Sequence, residues 1–219
     1  MLKTIDDFAP EGVESGASLI LRDEDGRYLF FLAGTRHRHQ CPPGQLFYAG
    51  IGGHRELGEA WPDCVRREAA EEIGSAVDIE SSAVTWYVPH HGEIERARIR
   101  DRPRPLALYE MIHPPRTPAA GGLYRIVIYE GRLRTPPIIR LPDEVRGVIG
   151  LTEDQVVLGP QRRPTLAQLL DEGARVLAGE GPEDLEFQLY PIGTAAALSR
   201  LLLHVKERPR SAPDERRQT

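Results

Sequence analysis

The segment GGHRELGEAWPDCVRREAAEEIG, from Gly52 to Gly74, crowds Glu56, Glu59, Glu68, Glu71 and Glu72 into one short stretch of chain. Pro62 suits the first turn of a helix, where its missing N–H has no partner to lose, and Gly74 suits the end; the spacing predicts a helix of about three turns between them. Val65, Ala69 and Ile73 fall four apart, an apolar seam that should face a sheet. Glu68 and Glu72 stack on a neighbouring strip, with Glu71 about a sixth of a turn beyond Glu68. Carboxylates gathered on one side of a helix turn repel one another and cost stability unless a cation neutralises them. Magnesium or manganese is the natural choice, because both take carboxylate, carbonyl and water oxygens and leave positions for phosphates. The glycines Gly52 and Gly53 permit backbone conformations that bring a carbonyl into the same shell. Arg67 stands where it can hold one carboxylate by a bidentate bond. The blander reading of this helix is a solvated acidic face, with Glu68 and Glu72 paired to Arg66 or Arg67.

Metal ions bridging a diphosphate polarise phosphorus, neutralise the leaving group and lower the pKa of a water that attacks, so such a site points to hydrolysis of a phosphoanhydride. The segment resembles the Nudix box, with Gly53, Glu59, Arg67, Glu68, Glu71, Glu72 and Gly74 in register. Ala69 is small for the hydrophobic position of the box, and Ser75 is polar where the family usually ends in an aliphatic residue. The resemblance implies an α/β/α sandwich with a mixed sheet over residues 12–159, with 160–206 as a C-terminal helical extension of the same domain. It also implies a metal set of Glu68, Glu72, Glu71 and the Gly52 carbonyl, with Glu59 and Arg67 holding the ligand helix in place. The family's general base often lies outside the box, and Glu110, Glu130, Glu144 or a histidine are the candidates here. The implied function is metal-dependent hydrolysis of a diphosphate in ADP-ribose or a nucleotide-sugar-like compound. Cleavage of nucleoside triphosphates and a non-catalytic ligand-binding role are the alternatives. Pro89, fourteen residues beyond Ser75, is a weak pointer to ADP-ribose.

Elsewhere, apolar runs at 17–22 and 28–33 flank Asp23-Glu24-Asp25-Gly26 and predict a hairpin. Residues 34–45 read as a loop, and 47–51 as a short strand entering the glycine pair. Further strands are expected at 83–88, 105–112, 123–133 and 145–151, and helices at 165–178 and 192–205. The apolar faces of those last helices could cap the sheet, complete a pocket or pair two subunits; a homodimer is the expectation. Residues 207–219 read as a disordered tail.

A formal net charge of −5 argues against a broad grip on nucleic acid and leaves room for a local basic site, while the Nudix resemblance implies a small nucleotide substrate. No run of apolar residues is long enough to span a membrane, and Cys41 and Cys64 are too few for a disulfide framework, so a cytoplasmic protein is expected. The alternating Arg96, Arg98, Arg100, Arg102 and Arg104 offer a phosphate grip or, with Glu93, Glu95 and Asp101 among them, a solvated loop. Packing is the plainer role for Cys64, Trp61, Trp86, Tyr87 and Tyr48. His90 and His91 are loop histidines or base contacts.

Overall fold

The computed structural model describes residues 3–117, 119–181 and 185–207. In chain order the elements are α1 (Ile5–Phe8), β1 (Ser15–Arg22), β2 (Tyr28–Ala33), β3 (Gln45–Ala49), β4 (Ile51–His54), α2 (Trp61–Ile73), β5 (Val77–Glu80), β6 (Thr85–Val88) and β7 (Glu95–Ala97). They continue with β8 (Ala107–Ile112), β9 (Leu123–Leu133), β10 (Val145–Leu151), α3 (Glu153–Arg162), α4 (Leu166–Asp171), β11 (Arg175–Gly179), β12 (Gln188–Pro191) and α5 (Gly193–Glu207). A single mixed sheet runs β11-β10-β2-β1-β9-β8-β6-β7, with β3, β4, β5 and β12 paired to its sides. The β1–β9, β6–β8 and β3–β12 pairs are parallel and the others antiparallel. Helices complete the α/β/α sandwich: α2 lies on β4 and β1, while α3 and α5 pack on each other and α5 on β3.

The local reasons are in the residues. Gly26, at φ 81°, closes the β1–β2 hairpin, where the Asp23 side chain accepts from the Arg27 N–H. In α2, Pro62 stands in the first turn and Gly74 ends the helix in the left-handed region at φ 58°. Its Val65, Ala69 and Ile73 are fully buried, as the seam requires.

β1 sets the geometry of the glycine pair. Its far half pairs with β2, and its near half pairs with β4, so that Ser18 faces Gly52 and Ala17 faces Gly53. At Gly52, φ is 147°, and a Cβ would stand 2.3 Å from the Ala17 carbonyl oxygen. Only glycine fits so close an approach.

Several expectations need correction. The helix expected over 165–178 stops at Asp171, because Gly173 takes φ 101°, and the chain turns to form β11 antiparallel to the edge strand β10. The stretch 160–206 is thus helical only in part: β11 and β12 join the sheet, and Gly50 packs directly against Thr194 at the start of α5. The arginine-rich loop includes β7, paired with β6, and the loop 34–45 contains a 3-10 turn at Thr35–Gln40. Helix α3 has no counterpart among the expected elements; a capping box of Thr152 and Gln155 starts it, and Pro160 lies inside it. Of the expected tail, residues 208–219 lie outside the described residues, and Glu207 ends α5. No helix among the described residues is long and apolar enough to cross a membrane.

Because α5 covers the sheet with its own buried Leu198 and Leu201, its packing belongs to the core. Leu198→Ala should therefore lower unfolding free energy by about 2–5 kcal/mol in urea denaturation. An unchanged midpoint would show that α5 docks only loosely.

Candidate functional site

The loop after β4 and the exposed side of α2 place the carboxylates, and one arginine organises them. Arg67 makes a bidentate bond to Glu59, Nε to Oε1 at 2.9 Å and Nη2 to Oε2 at 3.2 Å. The same guanidinium donates to Glu68 at 2.7 Å, to Glu71 at 3.3 Å and to the His54 carbonyl at 2.9 Å. It thereby ties the loop to the helix. Glu59 in turn accepts from the Glu56 N–H, closing the loop on itself, and the Arg67 guanidinium holds its carboxyl below the usual range.

Glu72 stands apart from this brace. Its Oε2 accepts from the Gly52 N–H at 2.9 Å, so the bond seen at Gly52 is made through its nitrogen. Burial pushes the Glu72 carboxyl up to about 8, and the charges of Glu68 and Glu71 push the same way. Burial also raises Glu68, against the pull of Arg67. The Glu68 carboxylate lies where a Cβ on Gly53 would be, 2.6 Å away, so the glycine makes the room that this side chain fills. Glu71 is the open member, with its side chain 54% exposed.

In kind, this donor set fits a hard divalent cation: it is made of carboxylate oxygens, and burial holds two of the acids, Glu68 and Glu72, above their ordinary range. Among the described residues, no three His, Cys, Asp or Glu side chains are gathered as a finished metal cage. Arg67 here neutralises Glu68 and Glu71 as a cation would.

The base candidates sit in separate surroundings. Glu110 faces Arg125 at 3.9 Å, Glu144 is ion-paired with Arg36, and Glu130 lines a cavity with Glu80 beyond the far half of β1. His90 and His91 lie ring against ring after β6. Cys64 is fully buried, and burial pushes its thiol up to about 12, the state of a packing residue and not of a nucleophile. Trp61 and Tyr48 are core residues, and Trp61 also donates to Asp6.

A group beside the box escapes the sequence reading. Glu14 Oε1 meets both His54 Nε2 at 3.3 Å and His113 Nε2 at 3.0 Å, and Tyr124 lies between the two imidazoles with ring centroids 4.8 and 5.1 Å away. Burial raises the Tyr124 phenol, with Cys64 and Glu68 adding to the effect. His54 follows Gly53 and is within reach of the motif; Glu14 and His113 are brought in only by the pairing of β8, β9 and β1.

With this geometry in view, the sequence matches the family described as NUDIX domain over residues 13–169. The chain belongs to the Nudix family. As a Nudix hydrolase it is an enzyme of a group that acts on small nucleotide compounds, generally with divalent metal ions. Solved structures similar to it include a MutT NUDIX hydrolase from Burkholderia pseudomallei, at 19% identity over 66% of this chain and 86% of that one, TM-score 0.42. A NUDIX hydrolase from Nitrosomonas europaea is 14% identical over 73% and 87%, TM-score 0.42. A MutT protein from Methanosarcina mazei Go1 is 12% identical over 74% and 91%, TM-score 0.47. None of the curated proteins matches the chain.

The raised Glu72 carboxyl of this Nudix site has a pH signature. A carboxyl with a higher pKa folded than unfolded binds the extra proton in the folded state, between its ordinary value of 4.5 and about 8. Stability of the metal-free protein should therefore fall as pH rises through that window. Chemical denaturation at a series of pH values is expected to show the fall, with magnesium opposing it and Glu72→Gln flattening it. A midpoint that rises with pH in the native protein, or the same slope in the variant, would contradict this.

Proposed function

We propose that this Nudix hydrolase cleaves the diphosphate linkage of a nucleoside diphosphate joined to a second moiety, of the ADP-ribose or nucleotide-sugar kind, with magnesium or manganese. The observation that supports it most is the set Glu68, Glu71 and Glu72, partly desolvated against the Gly52-Gly53 backbone and held from behind by the Glu59–Arg67 pair. Glu68, Glu71, Glu72 and the Gly52 carbonyl would hold the cation. When bound, a divalent cation supplies charge neutralisation and polarisation at the phosphates.

The chain's own residues set the conditions for that chemistry. The Gly52 N–H fixes the Glu72 carboxylate at the strand end, and Arg67 keeps the loop and helix in one register. Arg67 and Glu59 act as positioning residues, since their bonds are to each other, to the loop backbone and to the acids. Glu14, with His54 and His113 on it, sits beside Gly53 and joins Glu110, Glu130 and Glu144 as a candidate to accept the proton of the attacking water. The free, buried cysteines accord with a reducing, cytoplasmic setting. A homodimer formed through α5 would use the residues it leaves exposed, such as Leu203 and Val205, because its buried face is taken by its own sheet.

Incubating the protein and Glu72→Gln with magnesium or manganese and a panel of ADP-ribose, nucleotide sugars, dinucleoside polyphosphates and nucleoside triphosphates tests this reading. Cleavage of a diphosphate-linked compound should drop by at least about 100-fold in the variant, the scale of losing one charged contact to the transition state. Preference for triphosphates would move the assignment to triphosphate pyrophosphohydrolysis. No cleavage of any compound would leave a ligand-binding Nudix domain.

Gly53→Ala offers a second check. The added Cβ collides with the Glu68 carboxylate, so activity and magnesium affinity should fall together while the overall fold persists by circular dichroism. Native activity in Gly53→Ala would remove Glu68 from the proposed cation site.

A further inference from the structure

A cavity of about 380 Å³ opens beside the start of β3, walled by Pro42, Pro43 and Gly44 and faced by Arg38, Arg116 and Phe187. Among the described residues, no carboxylate lines it. The Arg38 guanidinium stacks over the Phe187 ring at 4.3 Å, which occupies its flat face and leaves its in-plane N–H groups to other partners. Arg116, at φ 72°, spends one N–H on the Cys41 carbonyl at 3.4 Å. Arg163, at the rim, bonds the Gln45 side chain and lies over Tyr190. None of these three arginines is ion-paired with a carboxylate among the described residues, in a chain whose net charge is −5.

The cavity and the box share one end of the sheet. The loop that carries Arg116 begins at His113, which is bonded to Glu14 beside His54 and Gly53. Three residues of chain span at most about 11 Å, so Arg116 lies close to His113 at the edge of the box, and Arg38 lines the same cavity as Arg116. The rim is stiff: two consecutive prolines fix their own φ and offer no N–H to compete for an anion.

We propose that this pocket is a phosphate subsite, holding a phosphate that the substrate carries beyond the scissile diphosphate. The substrate class this selects, resting on the hydrolase reading above, is a nucleoside diphosphate derivative with an additional phosphomonoester on the nucleoside. Arg38 and Arg116 grip that dianion by charge-assisted hydrogen bonds, and Phe187 holds the Arg38 plane in position.

Two measurements on the full chain test this and separate it from the hydrolase reading. Inorganic phosphate, added with magnesium present, should shift the guanidinium Nε–H NMR signals of Arg38 and Arg116 and leave that of the ion-paired Arg27 in place. Hydrolysis of ADP-ribose should be compared with that of its 2′- and 3′-phosphorylated forms. One of the phosphorylated forms should be favoured by about 10-fold in kcat/KM, and Arg38→Gln with Arg116→Gln should abolish that preference while sparing the rate on ADP-ribose. Both side chains are exposed, so the variant should fold, which thermal melting checks. Phosphate that moves neither signal overturns the subsite, as does equal hydrolysis of all three compounds, and in the latter case the hydrolase reading still stands. Shifted arginine signals with no hydrolysis of any compound keep the phosphate site and defeat the hydrolase reading.

Discussion

Burial of Glu68 and Glu72 beside a third acid, Glu71, is the constraint around which this site is arranged. Exposed on an isolated helix, these acids would simply be solvated. Here α2 is pressed onto β4 by a fully buried seam, which forces Glu68 and Glu72 against the backbone of Gly52 and Gly53 and strips part of their water. Each feature nearby compensates for that cost. Glycines make the room, the Gly52 N–H satisfies one carboxylate oxygen, and Arg67 neutralises two acids while anchored by a third. A fold has little structural reason to bury acids in this way, since apolar residues would pack at lower cost. In the proposed function, binding of a cation gives the arrangement its purpose.

How much of this is legible in the sequence depends on the range of the interactions involved. Helix α2 and its carboxylates are specified within about twenty residues, by a proline, two glycine positions and a fixed spacing, so both element and motif can be read directly. Strands β9 and β10 are readable because apolar residues are dense within them, as at Ile126, Val127, Ile128 and Tyr129 and at Val148 and Ile149. The segment after Thr165 misleads, because Leu166, Leu169 and Leu170 continue at helical spacing into Val176 and Leu177. Gly173 is the stop signal, and the edge of β10 that captures Arg175–Gly179 lies far away in sequence. Short strands such as β5 and β12 carry almost no pattern and form because β9 and β3 offer open edges. In α3, the proline at 160 speaks against a helix more loudly than the Thr152–Gln155 capping box speaks for it.

The same division runs through the site. Box residues are local and legible from their spacing, whereas Glu14 and His113 are 99 residues apart and meet only because β1 and β8 both pair with β9. Arg38 and Arg116 sit in segments that read as featureless loops. What makes them a pair is the shared end of the sheet. Sequence thus reveals the part of the site that must be rigid and periodic, and hides the part assembled from loops, which is where a Nudix fold has freedom to select its substrate.

The most direct measurement of the central claim is a crystal structure of the protein soaked in manganese, with anomalous scattering used to locate the ion. The expected result is a peak at bonding distance from Glu68 and Glu72 oxygens, with the Arg67 contact to Glu68 weakened and its bidentate bond to Glu59 intact. A structure at millimolar manganese that has no peak there, with Arg67 still bonded to Glu68, would contradict the claim that these carboxylates are gathered for a cation.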